Sequence, residues 1–91
     1  MLRDEVDVVV AQLQERGVFA HVHHAGIGRV GIRVVLPEGA EAIWDVDGAA
    51  GLEAMVMRDG VLVGFVPKIA GSEDFTVEQS VEAIATAQYT A

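Results

Sequence analysis

Residues 52–66 read LEAMVMRDGVLVGFV, and this stretch decides the fold class. Asp59-Gly60 lies between two apolar runs, and both of its residues readily adopt the positive φ of a type I′ turn. A turn this short joins antiparallel strands, because a parallel pair needs a long crossover. We therefore predict a hairpin with strands at residues 52–58 and 61–66.

Three further strands are predicted upstream of this hairpin. Residues 18–24, 29–36 and 42–46 alternate apolar and polar side chains with the two-residue period of a strand, and glycines mark the turn at 25–28. Short connections between consecutive strands predict an antiparallel meander in the order 1-2-3-4-5. At least one helix should cover the face that bears Val30, Ile32, Trp44, Val56 and Val63.

The sequence has helical periodicity both before and after the predicted strands. Residues 2–16 are predicted to form a helix that stops at Gly17. Thr76 followed by Gln79 is a capping-box pattern that begins a second helix. The apolar stripes are Leu2, Val6, Val9, Val10 and Leu13 in the first helix, and Val77, Val81, Ile84 and Ala85 in the second. The chain is thus predicted to be a single α+β domain spanning residues 1–91.

Composition narrows the class of function. The 14 acidic and 6 basic residues give a net charge of −8, so free nucleic acid and an anionic membrane are poor partners. The chain has no cysteine, which excludes disulfides and thiolate metal sites. Its apolar runs are far shorter than the roughly 20 residues of a membrane span. Since the N-terminus also lacks the pattern of a secretory signal, we expect a cytoplasmic protein.

No catalytic or cofactor motif fits its structural context. Gly26, Gly28 and Gly31 match a dinucleotide-binding fingerprint, but that motif requires a helix after the glycines, and a strand is predicted here. Ser72 and Ser80 lack the strand–turn–helix setting of a nucleophile. We therefore predict no catalytic residues, no cofactor and no enzymatic activity.

A histidine pair is the candidate metal site. His21 and His23 share one face of the first strand, and two imidazoles with a carboxylate are a ligand set for zinc. Asp45, Asp47 and Glu53 are the candidate third ligands. The alternatives are a solvated polar strand or a pH-dependent contact.

The second face of the predicted sheet is the main candidate for an interaction surface. An antiparallel sheet with one solvent-exposed face normally carries polar residues on that face, but this face is largely apolar. Its interface candidates are Val35, Ile43, Met55, Met57 and Leu62, with Phe19 and Val66 alongside. Two alternatives remain for what covers this face: the second helix, or a second subunit or partner protein.

Charge placement suggests another surface. The two predicted helices and the loop before the second are rich in carboxylates, namely Asp4, Glu5, Asp7, Glu73, Asp74, Glu78 and Glu82. If the helices lie side by side, these residues form an acidic ridge that could imitate a phosphate backbone on a basic host protein.

The pattern as a whole resembles small acidic proteins of GC-rich actinobacteria and their phages. A helix ending in Arg16-Gly17-Val18, an Ala42-Ile43-Trp44-Asp45 strand, the hairpin and the terminal helix carry this resemblance. It covers most of the chain and implies origin and fold, with no functional residues. The leading hypothesis is a non-enzymatic, homodimeric protein-binding module encoded by a phage or mobile element. The alternatives are an acidic inhibitor that mimics nucleic acid, and a histidine-based metal-binding protein.

Overall fold

The computed structural model describes residues 2–46 and 51–89. Within these residues the chain forms an N-terminal helix, five antiparallel strands in the order 1-2-3-4-5, and a C-terminal helix. The elements are α1 (Arg3–Glu15), β1 (Ala20–Gly26), β2 (Arg29–Val35), β3 (Ala40–Asp45), β4 (Glu53–Arg58), β5 (Val61–Val66) and α2 (Val77–Thr86). The predicted α+β fold is confirmed.

The ends of α1 follow from its sequence. The Glu5 carboxylate accepts a hydrogen bond from the Leu2 backbone amide at 3.0 Å, at the end where the helix dipole favours an anion. Gly17 takes a φ of 81°, and the Val18 amide then donates to the Leu13 carbonyl at 3.0 Å, which closes the last turn. The predicted stripe is buried except for Leu2, which is 73% exposed because it precedes the helix.

Two strand boundaries differ from the prediction. β1 begins at Ala20 and runs to Gly26, so a tighter turn at residues 27–28 replaces the predicted turn at 25–28. β3 begins at Ala40, because a single 3-10 turn at Pro37–Gly39 directs the chain straight back into the sheet.

One hydrophobic core lies between the sheet and both helices. Trp44 of the central strand is fully buried, with Ile32 and Ala54 in register on either side. The buried residues of both helices join this same cluster, and the helices contact each other. The helical members of the core are Val6, Val9, Val10, Leu13, Val81 and Ile84. Both helices therefore cover the same face of the sheet, which contradicts the alternative in which the second helix covers the opposite face.

The hairpin between β4 and β5 has the predicted turn. Asp59 and Gly60 take φ values of 53° and 80°, and Arg58 pairs with Val61 across the turn. Both central residues therefore have the positive φ that a type I′ turn requires.

A β-bulge in β5 overturns two predictions of side-chain direction. Met57 pairs with Leu62 but Val56 pairs with Gly64, so Val63 is an extra residue. Beyond it the alternation is reversed. Val66 lies opposite Ala54 and packs on the core, although it was expected on the outer face. Val63 was expected on the core face, but it lies in the bulge and is not a member of the core.

The predicted capping box begins α2. The Thr76 hydroxyl accepts from the Gln79 amide at 3.2 Å, and the Gln79 side chain accepts from the Thr76 amide at 2.8 Å. We expect Thr76→Ala to lower the free energy of unfolding by about 0.5–2 kcal/mol, because the cap satisfies a helix amide that lacks a backbone partner. Urea unfolding followed by far-UV circular dichroism measures this loss.

Thr86→Ala is the matched control on the same helix. Its hydroxyl donates to the Glu82 carbonyl at 2.7 Å. Both residues lie at the end of α2, where Glu82 is already part of the helix. We expect this substitution to cost less than about 0.5 kcal/mol. Equal losses for the two variants would contradict the role of Thr76 as the cap.

The residues after α2 are tied to the central strand. The Trp44 indole N–H donates to the Tyr89 hydroxyl at 3.0 Å, and the two rings meet edge to face at 6.3 Å. Burial raises the pKa of the Tyr89 phenol. Its neutral form is therefore favoured in the folded chain, and the stability that this provides is lost as the pH rises above the ordinary tyrosine pKa of about 10.

Candidate functional site

The face of the sheet opposite the helices is the candidate functional site, and we call it the open face. Strand register assigns its members without ambiguity, because residues paired across neighbouring strands point to the same side. Its apolar members are Phe19, Val35, Ile43, Met55, Met57, Leu62 and Phe65. Its other members are His21, His23, Arg29, Gly31, Arg33, Glu41, Asp45 and Glu53.

All five interface candidates predicted from the sequence lie on the open face, as does Phe19. The central residues Ile43 and Met55 pair directly with each other across β3 and β4. Three aromatic or aliphatic side chains around them are strongly exposed: Phe19 at 71%, Phe65 at 62% and Leu62 at 45%. No described helix covers this face, so contiguous apolar surface meets solvent in the single chain.

Sequence periodicity missed Phe65 as a member of this surface. Strict alternation places Phe65 with the core and Val66 outside, and the bulge at Val63 exchanges them. Gly64, beside the bulge, is the only local signal, because a glycine inside a strand often marks such an irregularity.

The open face is nearly neutral, unlike the rest of the molecule. Among its described members are two arginines, Arg29 and Arg33, and three carboxylates, Glu41, Asp45 and Glu53. With neutral histidines its formal charge is −1, against −8 for the whole chain. Most of the charge repulsion between two copies therefore originates elsewhere on the surface.

The charges of the open face are separated by strand. Both arginines lie on β2, whereas the carboxylates lie on β3 and β4. Arg33 forms an ion pair with Glu41 on the neighbouring strand. This pair is partly exposed, so it adds less than about 1 kcal/mol to stability, and its main effect is to fix the two side chains on the surface.

A concavity of about 690 Å³ lies on the open face around Gly31. Gly31 has no side chain, and its neighbours His23 and Asp45 on the adjacent strands form part of the wall. Ile43, Met55, Phe65, Arg29 and Glu53 also line it. A β-carbon at Gly31 would lie 2.5 Å from the Trp44 carbonyl oxygen, so close approach of two backbones requires glycine here.

The predicted metal site at His21 and His23 gains no third ligand from the residues that the structure describes. His21 pairs with Arg33, a cation that opposes metal binding, and His23 pairs with Gly31. Asp45 lies two strands from His23, about 10 Å away by ordinary strand spacing. Among residues 2–46 and 51–89 no three His, Asp or Glu side chains are grouped to hold a metal ion. The candidate ligand Asp47 lies outside the described residues.

The predicted acidic ridge is interrupted by cations. The helices do pack together, but Arg16 forms an ion pair with Glu82 at 2.7 Å and Lys68 pairs with Glu73 at 3.3 Å. Hydrogen bonds from its own backbone amide and from Lys68 lower the pKa of Glu73. Arg3 likewise pairs with Asp7. Regular negative charge of the kind that a phosphate backbone presents is therefore broken along this surface.

No protein-family model matches the chain, and neither curated proteins nor solved structures give a match. The resemblance to small actinobacterial and phage proteins thus stays a prediction. None of the described helices combines the length and apolar character needed to cross a membrane. The open face is the feature on which a functional conclusion can be built.

Proposed function

We propose that this protein is a non-enzymatic protein-binding module that forms a homodimer through the open face of its sheet. The observation that carries the proposal is the exposed apolar surface centred on Ile43 and Met55, on a sheet whose other face packs against both helices. Contiguous exposed apolar surface often marks a protein contact. Methionine suits such a contact because its side chain adapts to the opposing surface.

A second copy is the occupant that the charge of the open face favours. Two acidic molecules repel, and they associate best through the surface that carries least of the charge. With a formal charge of −1, the open face is such a surface. Its arginines and carboxylates also let one open face supply both signs to another, as a self-complementary twofold contact requires.

The size of the open face predicts a modest affinity. Five strands about 4.8 Å apart, each with about six residues of 3.4 Å, project an area of about 480 Å². Side-chain relief enlarges the accessible area beyond this projection, yet it stays below or near the 800 Å² or so that each partner buries in a standard interface. We therefore expect a dimer that forms at micromolar or higher protein concentration.

Ile43→Asp and Met55→Lys test the proposal. Each places a charge at the centre of the contact, where it loses water without gaining a partner. We expect the wild-type protein to dimerise and each variant to raise the dissociation constant at least about 30-fold, corresponding to about 2 kcal/mol. Sedimentation velocity across micromolar to millimolar concentrations measures both constants.

Ile27→Asp is the matched control for Ile43→Asp. Ile27 lies in the turn after β1, away from the centre of the open face, and is fully exposed. We expect it to leave the dissociation constant unchanged. A wild-type protein that stays monomeric throughout the range, or a dimer indifferent to both substitutions in the open face, would refute the proposed function.

A further inference from the structure

On the open face, β2 carries cations and β4 carries an anion. On β2, Arg29 and Arg33 stand on either side of Gly31, and Gly31 lines the concavity together with Arg29. On β4, the exposed carboxylate of Glu53 occupies the same level of the sheet as Gly31, since Gly31 pairs with Asp45 and Asp45 pairs with Glu53. β2 thus carries a cation on either side of Gly31, and β4 carries an anion at the same level of the sheet.

A twofold axis parallel to β3 brings these two features together. Residues that pair across neighbouring strands form one level of the sheet. Rotation about this axis keeps every residue at its own level and exchanges β2 with β4, because these strands flank β3 on opposite sides. Glu53 of each copy then faces Gly31 of the other, between Arg29 and Arg33. Both contacts form at once, since an interface with this symmetry repeats every pair.

The other simple orientation lacks this complementarity. A twofold axis perpendicular to the strands, through the level of Ile43 and Met55, places β2 on β2. Arg33 would then face Arg33 of the other copy, and Glu41 would face Asp45 of the other copy. Like charges opposed in this way cost free energy, and no opposite charges meet to offset them.

The parallel orientation also brings like charges together, at β3 and in the concavity, whose own wall includes Asp45 and Glu53. Near the axis, Glu41 faces Glu41 of the other copy, and Asp45 faces Asp45 of the other copy. Glu41 is already held in an ion pair with Arg33, and both Asp45 and Arg29 are also engaged within their own chain. The ion pair reduces the repulsion at Glu41, and it also weakens the attraction of Arg33 for Glu53 of the other copy.

We propose that the second copy docks with its twofold axis parallel to β3, so that Glu53 of each copy faces Gly31 of the other, between Arg29 and Arg33. This inference rests on the proposed homodimer and specifies its geometry. It identifies Glu53, Arg29 and Arg33 as the residues that select a second copy of this chain over an arbitrary apolar partner.

Complementary charge reversal tests this geometry. One variant carries Glu53→Arg, and the other carries both Arg29→Glu and Arg33→Glu. Alone, each variant opposes like charges at both contacts, and we expect its dissociation constant to rise at least about tenfold. In an equimolar mixture every contact again joins opposite charges, so we expect a heterodimer with an affinity within about threefold of the wild-type dimer. Sedimentation velocity measures all three samples.

The outcomes separate this inference from the proposed function. A mixture that stays monomeric, or single variants that dimerise like the wild type, would overturn the geometry, while sensitivity to Met55→Lys would still support the open face as the interface. A monomeric wild-type protein would overturn both.

Single cysteines provide a second test that leaves the charges intact. The chain has no cysteine of its own, so each introduced thiol is unique. Val35 and Met57 lie at one level of β2 and β4, because both pair with Glu41. We expect a mixture of Val35→Cys and Met57→Cys to form a heterodisulfide on mild oxidation, and neither variant to cross-link with itself. Self-linked dimers without the heterodisulfide would contradict the geometry.

Discussion

Trp44→Ala will remove a large part of the free energy of unfolding. Trp44 is fully buried in the central strand and contacts the residues that follow α2 through Tyr89. Deleting a buried aromatic side chain costs about 3–5 kcal/mol. A chain of this length has a total stability of about 5–14 kcal/mol, so the loss amounts to about a fifth of this stability at the upper end and nearly all of it at the lower end.

Urea unfolding followed by far-UV circular dichroism measures the effect, since Trp44 is the only tryptophan and its fluorescence is lost with it. Phe65→Ala is the control, because it deletes an aromatic side chain from the same sheet on the open face, where Phe65 is 62% exposed. At concentrations that keep the protein monomeric, the control should cost less than about 1 kcal/mol. Similar losses for the two variants would contradict the assignment of the two faces.

Gly31→Ala will destabilise the protein, although intrinsic preference predicts the opposite. Glycine inside a strand is normally less favourable than alanine by about 0.5–1 kcal/mol. Here the added β-carbon would lie 2.5 Å from the Trp44 carbonyl oxygen, which belongs to the backbone of the neighbouring strand. Since that atom cannot rotate away, β2 and β3 must separate, and we expect a net loss of about 1–3 kcal/mol.

The same urea experiment measures this loss, with Val35→Ala as the control. Val35 lies on the same strand and the same face, is partly exposed, and meets solvent where Gly31 meets backbone. We expect the control to cost less than about 1 kcal/mol. A Gly31→Ala protein as stable as the wild type would show that the two strands tolerate a wider spacing at this point.

Local chemistry in the sequence was sufficient for the elements and their order. Asp59-Gly60 predicted the tight turn because only certain residues accept its positive φ. Alternation predicted which residues of β2, β3 and β4 share the face of Trp44, because successive side chains of a strand point to opposite sides. The apolar stripes of both helices followed from helical periodicity in the same way.

Prediction failed where a hydrogen bond between distant residues decides the outcome. The bulge at Val63 depends on how β5 pairs with β4, and one extra residue exchanges the directions of Phe65 and Val66. The hydrogen bond that joins Tyr89 to Trp44 spans 45 residues of sequence, and no periodicity reports a contact of that kind.

The candidate site shows the same division. The sequence by itself determined that both faces of the sheet carry apolar side chains, because that property belongs to each strand separately. Only the tertiary structure decided that both helices cover one face and leave the other open, and that Glu53 lies level with a glycine between two arginines. The physical reason is that alternation along a strand records which side chains point the same way, whereas packing between layers and register between strands depend on contacts that no single segment contains.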